Sequence, residues 1–331
     1  MKPLRLSLHV ALLFVLILAG PARAEAPRPT MPDLYAVLWQ QTSAEYKALC
    51  LQAFQGARQA LEERARTGGC RMHDGRLVQE TLVREPEGKL RVDQRPLALV
   101  LDLDETVLDN SGFQAWLLRE GRTYQEEDWV AWTRFQARVP EARKAVPGVL
   151  AFLREAQDMG YTPIYLTNRD ESSRADTLAL LEGLGLGAPD LERRLILKDE
   201  QADPKAAAAL VGRLGLKPTS PEALGLTANS SDKAGRRVEV QERYQVVGWF
   251  GDNLYDFPLD VRQGTPAGTA MLEARDQAVQ AGADRWGNTW FILPNPMYGS
   301  WLSGSTIPRQ DQVNALQDWG FGTWKQARAP R

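Results

Sequence analysis

"LALVLDLDETVLDNS", residues 97–111, runs from five consecutive apolar residues straight into four carboxylates, Asp102, Asp104, Glu105 and Asp109. A short, continuous apolar run, closed by Pro96 on one side and acids on the other, suits a strand buried on both faces of a parallel sheet. Carboxylates packed at the end of such a strand repel one another. Something must neutralise them, and what does so points to the chemistry.

The same pattern recurs outward from this stretch. "YTPIYLTN" (161–168), "RRLILK" (193–198), "YQVVGWFGD" (244–252) and "NTWFILP" (288–294) read as further strands, each ending in polar residues. Between them lie helical patterns at 112–120, 124–137, 147–160, 170–185, 232–243 and 269–281. Pro147 and Gly160 frame the third of these, at the first helical position and just past its end. Strand–helix–strand alternation implies right-handed crossovers and an α/β fold, a doubly wound and mainly parallel sheet. Residues 31–66 read as one or two amphipathic helices, and "RTGGCRMHDG" ends them as a loop.

Residues 1–24 carry Lys2 and Arg5 before an apolar stretch and a small-x-small site at Ala22–Ala24, which reads as a cleaved export signal. The apolar stretch falls short of the roughly 20 residues a spanning helix needs. Cleavage removes three basic residues and no acid, taking the formal charge from −2 to −5. Bulk charge therefore recruits neither nucleic acid nor anionic lipid. Cys50 and Cys70 survive cleavage, and an oxidising compartment favours a bridge between them. The alternative is two buried thiols, since Cys50 shares a helical apolar pattern with Tyr46, Leu49, Ala53 and Phe54. Only His73 remains of two histidines, in the loop. That removes histidine nucleophiles and a His-rich zinc site, and would rest any serine triad on one residue.

In an open parallel sheet, ligands sit beyond the carboxyl ends of the strands. There the chain places Asp102, Asp104 and Thr106, then Thr167 and Asn168, then Asp252 with Asp256, and Lys233 opens the helix before that last strand. Converging carboxylates without histidine or thiolate form a hard-oxygen site suited to Mg²⁺. A divalent cation and a lysine would reverse the local field and admit a phosphate. Asp102 then reads as a nucleophile, ionised at neutral pH without a helper base, and Asp104 as the acid and later base. Thr106 and Thr167 offer hydroxyls to the phosphoryl oxygens, Lys233 offsets their charge, Asp252 completes the metal shell, and Asp256 holds a metal-bound water or Lys233. A lone D-x-D-x-T arises by chance in about one chain in ten of this length. Four motifs in order, each at a strand end or helix start, make a far more specific signal.

These ordered motifs resemble the haloacid dehalogenase superfamily of aspartate-based phosphatases. "VLDLDETVLDNS", "YLTNRD", "FGDNLYDF", "ILPNPMYGSW" and "LWQQTSAEYKAL" are similar to the bacterial class C acid phosphatases, a group that includes lipoprotein 5′-nucleotidases. The similarity runs from about Leu34 to Trp301. It implies a Rossmann-like core with a small helical cap, Asp102 as nucleophile and metal ligand, Asp104 as acid/base and metal ligand through its backbone carbonyl, and Asp252 as metal ligand. It also implies phosphate binding by Thr167 and a lysine. Lys198, Lys205 and Lys233 lie in the right interval, and the resemblance favours Lys233, at the start of the helix leading into the Gly-Asp strand. Base stacking in nucleotide-binding relatives maps onto Trp129 and Tyr298. On these expectations residues 25–94 contribute to a helical cap, and residues 95–331 form the core, with a cap insertion at 112–146 and a rim insertion at 199–231.

Three departures stand out: no cysteine follows the leader to carry a lipid anchor, the 199–231 insertion is long, and Tyr255 stands where many relatives have a small polar residue. The resulting expectation is a periplasmic or secreted Mg²⁺-dependent phosphatase acting on small phosphate monoesters, 5′-nucleotides among them. It has no stable membrane anchor and no nucleic acid polymer as partner, and homo-oligomerisation is left open. Transfer of the phosphoryl group to another hydroxyl, or ligand binding without catalysis, are the competing readings.

Overall fold

The computed structural model describes residues 31–84, 88–198, 233–259 and 268–302. The leader at 1–24 and the rim insertion at 199–231, with Lys205, lie outside the described residues. A parallel sheet of five strands forms the centre, ordered β7-β6-β5-β8-β9. Its strands are β5 (Leu97–Leu101), β6 (Thr162–Asp170), β7 (Leu195–Lys198), β8 (Gln245–Gly251) and β9 (Trp290–Ile292). The opening stretch thus supplies the middle strand, and the order reverses beside it.

The alternation within β5 explains its unbroken apolar character. Leu97, Leu99 and Leu101 join one buried cluster, while Ala98 and Val100 join another on the opposite face. The first face packs against α2 (Ala44–Thr67), α5 (Val149–Asp158) and α6 (Arg174–Gly183), through Phe54, Phe152, Leu153, Leu180 and Leu181. The second packs against α8 (Ala234–Arg243) and α9 (Thr269–Ala281), through Val240 and Ala278, with Trp249 and Trp290 from the sheet. A strand covered on both sides has no polar face to show.

Helix α2, within the 25–94 segment, lies against the sheet. Its stripe of Tyr46, Cys50, Phe54, Ala57 and Leu61 is buried in the main core. Those residues recur at three- and four-residue spacing on one face, and the sheet face is the apolar surface that accepts them. Helix α1 (Met31–Thr42) instead lies against α3 (Ser111–Glu120), which with α4 (Glu126–Arg138) occupies the 112–146 insertion.

The stretch read as a loop around His73 is a β-hairpin, β1 (Cys70–His73) with β2 (Arg76–Gln79), followed by a second, β3 (Thr81–Arg84) with β4 (Leu90–Asp93). Asp74 and Gly75 both take positive φ, 49° and 71°, as a two-residue turn between twisted strands requires.

The bridge between Cys50 and Cys70 does not form: both thiols are free. Cys50 lies seventeen residues before the end of helix α2, which at 1.5 Å per residue puts about 25 Å of rigid helix between it and the segment carrying Cys70. A disulfide needs Cα atoms about 6 Å apart. Burial pushes the Cys50 thiol up to about 11, so it is an inert core side chain.

Candidate active site

The register of the sheet brings the motifs together. Leu101 pairs with Tyr165 on one side and Phe250 on the other, so the residues just beyond them, Asp102, Thr167 and Asp252, come to one end of the sheet. There Asp102, Asp104, Asn168, Arg169, Lys233, Asp252 and Asp256 line a cavity of about 590 Å³. Trp129, Tyr124, Tyr255 and Tyr298 supply aromatic walls to the same cavity.

At its floor, carboxylate oxygens of Asp102, Asp252 and Asp256 lie within 4.8 Å of one another. Lys233, buried at the N-cap of α8, donates from Nζ to Asp102 Oδ1 and, at 2.7 Å, to Asp256 Oδ1. Asp256 is fixed from the other side, since its Oδ2 accepts the Asn253 N–H at 3.0 Å in a capping box. Gly251 makes this approach feasible, because a side chain there would collide with Asp256. Asp252 accepts from Asn295 Nδ2 at 2.8 Å and from the Thr106 hydroxyl at 3.4 Å.

Burial, opposed by Lys233 and reinforced by the charges of Asp256 and Asp104, pushes Asp102 up to about 7. Burial, then Asp256 and Asp102, raises Asp252 well above the carboxylate range. Lys233 is raised in turn: its burial disfavours the ammonium, but Asp102 and Asp256 outweigh that. Asp102 and Asp252, set beside Asp256 and a single lysine, resist carrying their full charge, and a divalent cation relieves that cost. The donors are all oxygen, which fits a hard cation. The cluster could therefore hold a divalent metal, with Asp102, Asp252 and Asp256 as its side-chain donors.

Asp104 is turned away from this cluster. Its Oδ1 accepts from Arg169 Nη2 at 2.7 Å, Arg169 Nε at 3.1 Å and Asn110 Nδ2 at 2.9 Å. The loop carrying it is held in an uncommon shape. Glu105, fully buried, has φ +59°, and its carboxylate accepts the Asn110 N–H at 2.7 Å and Asn110 Nδ2 at 3.3 Å. Non-glycine residues rarely adopt that φ, and such backbone persists only where its surroundings over-determine it.

The two threonines expected to bind phosphate make contacts within the protein. Thr106 and Thr167 are fully buried and are not among the residues that line the cavity. The Thr106 hydroxyl points to Asp252, and that of Thr167 accepts the Arg169 N–H at 3.1 Å. Asn168 does line the cavity, and Arg236 donates both to its side-chain oxygen and to the Thr167 carbonyl. Sequence reasoning placed Arg169 at the end of its strand without giving it a role, and missed Asn295. Arg169 stands two residues after Thr167 and so projects from the same side of β6, a parity that could have marked it. Asn295 follows a strand end in "ILPN" and had only that position as a signal.

The family model described as "HAD superfamily, subfamily IIIB (Acid phosphatase)" matches residues 25–210 and 213–301. The chain belongs to this acid phosphatase family. Among solved structures it is similar to the class C acid phosphatase from Bacillus anthracis, at 26% identity and TM-score 0.58, over 90% of this chain and 97% of that one. A second structure of that Bacillus anthracis enzyme, with tungstate bound, matches at 27% identity and TM-score 0.58, over 91% and 98%. The acid phosphatase is thus a phosphomonoester hydrolase built on the α/β sheet described above. Among its described residues, no helix is long and apolar enough to cross a membrane.

Proposed function

We propose that this acid phosphatase is an exported, Mg²⁺-dependent enzyme that hydrolyses small phosphate monoesters, 5′-nucleotides among them, through phosphorylation of Asp102. The observation that carries the reading is the meeting of Asp102, Asp252 and Asp256 around Lys233 at the floor of one cavity. The tungstate-bound relative supports it, because tungstate is a tetrahedral oxyanion like phosphate.

Bound Mg²⁺ would neutralise the acidic floor and the incoming phosphoryl group, held by Asp102, Asp252 and the backbone carbonyl of Asp104, with Asp256 alongside. A carboxylate oxygen of Asp102 attacks phosphorus, forming the acyl phosphate as the ester P–O bond breaks. Asp104 gives its proton to the departing oxygen. It then takes one from the water that attacks phosphorus, and cleavage of the Asp102–phosphorus link releases inorganic phosphate. Lys233 keeps Asp102 in place and offsets charge on the phosphoryl oxygens. Trp129 and Tyr298, on the cavity wall, offer flat apolar faces to a nucleobase. The leader at 1–24 would carry the chain out of the cytoplasm.

Hydrolysis of p-nitrophenyl phosphate tests the reading. Activity with Mg²⁺ should disappear in EDTA, return on Mg²⁺ addition, and be absent from Asp102→Asn. Turnover that is indifferent to EDTA would rule out the metal, and an active Asp102→Asn would rule out the nucleophile.

A further inference from the structure

We propose that Arg169 and Asn110 are positioning residues that anchor Asp104 by one carboxylate oxygen and so decide which oxygen carries the proton. The inference rests on the reading of Asp104 as the acid. An aspartate carboxylate is close to two-fold symmetric about its last bond, so either oxygen could be presented to a substrate. In this site the symmetry is broken. Oδ1 accepts three donors, at 2.7, 2.9 and 3.1 Å, whereas among the described residues Oδ2 has only a share of Arg169 Nε at 3.2 Å. Oδ1 is saturated, and Oδ2 remains to hold the proton, give it to the ester oxygen as the P–O bond breaks, and accept one from water afterwards.

Both anchors are themselves held by helix α4. Trp132 Nε1 donates to Asn110 Oδ1 at 2.9 Å, which orients the amide so that its NH₂ faces Asp104 and Glu105. The indole reaches Asn110 across Gly112, where a Cβ would stand 2.9 Å from Trp132 Cη2. Trp129, one turn earlier, lies 5.5 Å from the Arg169 guanidinium carbon, a cation–π distance. Arg169 is 3% exposed, and its Nη1 is buried without a partner among the described residues. Leaving that donor unsatisfied is tolerable where the rest of the fork is fixed for another purpose. A lysine could keep the charge but not the two-point grip.

The discriminating measurement is kcat/KM, which reads the steps up to departure of the alcohol, on two esters. p-Nitrophenyl phosphate has a leaving group that needs no proton, and ethyl phosphate has one that does. Arg169→Lys and Trp132→Phe should each lose about 10-fold or more on ethyl phosphate relative to p-nitrophenyl phosphate, a fraction of the ~10²–10⁴ a positioned general acid supplies. Trp132→Phe removes the indole N–H donor while keeping an aromatic ring, so it serves if the arginine variant folds poorly. Equal losses on both esters, or none on either, would overturn the proposal. Asp104→Asn is the control: if it also fails to separate the two esters, Asp104 is not the acid, which is a different failure from that of its anchors.

Discussion

At the scale of single residues, the acid phosphatase brings together charges that each cost free energy to bury. Asp102 and Asp252 are both raised by burial and by the neighbouring charge of Asp256. For an acid whose folded pKa exceeds its unfolded value, the folded state binds more protons, so stability falls as pH rises between the two. For Asp102 that window runs from about 4, the unfolded value, to about 7. A cation in the cluster cancels the loss. The Mg²⁺-induced rise in Tm should therefore be larger at the upper end of that window than at the lower end, with the metal-free Tm in EDTA falling over the same interval. A thermal-shift series in which Mg²⁺ adds the same increment throughout would contradict this. Part of this chemistry was legible from spacing alone: the acids at the ends of β5 and β8, and a lysine at the start of α8. The direction of Thr106 was not legible, because a hydroxyl five residues past the strand can turn inward as easily as outward, and the tight loop around Glu105 settles it on Asp252.

At the scale of elements, one ring ties strand to helix behind the site. Phe250, on β8, stacks on Phe291 of β9 at 5.0 Å, packs tilted on Phe152 of α5 at 5.1 Å and meets Phe54 of α2 at 6.3 Å. It is 1% exposed and stands two residues before Asp252. Truncating such a ring leaves a cavity that neighbours on three elements cannot collapse into. Phe250→Ala should cost about 3–5 kcal/mol in urea denaturation; a loss under about 1 kcal/mol would mean that β8 is not pinned this way. The strands and their helices could be read from period and punctuation because each apolar run was short and bounded. The partner of α2 could not, since an amphipathic helix states which face it buries but not against what. Nor could the hairpins between β1 and β4, whose strands are four residues long and mostly exposed, with the buried pair Leu77 and Val78 adjacent in β2 instead of alternating.

At the scale of the whole molecule, the sheet and the helices beside its mouth divide the work. The sheet ends carry the charges, and α3 and α4 bring Gln114 and Trp129 to the same cavity. Selectivity should reside in those walls. Trp129→Ala and Tyr298→Ala should raise KM for a 5′-nucleotide by about 5- to 30-fold, the equivalent of ~1–2 kcal/mol of base–aromatic stacking, while leaving KM for p-nitrophenyl phosphate nearly unchanged. Equal increases on both substrates would assign these rings to the shape of the site in general. The aromatic walls were legible as residue types but not as a surface, because Trp129 and Trp132 at helical spacing read equally well as core.

The central claim is covalent, and it is met most directly by trapping the intermediate. Enzyme mixed with ³²P-labelled ester and Mg²⁺, quenched in acid and digested, should carry label on the peptide containing Asp102, stable to acid and released by hydroxylamine as acyl phosphates are. Asp102→Asn should carry none. Label on another residue, or full turnover in Asp102→Ala, would contradict the assignment of Asp102 as the group that accepts phosphorus.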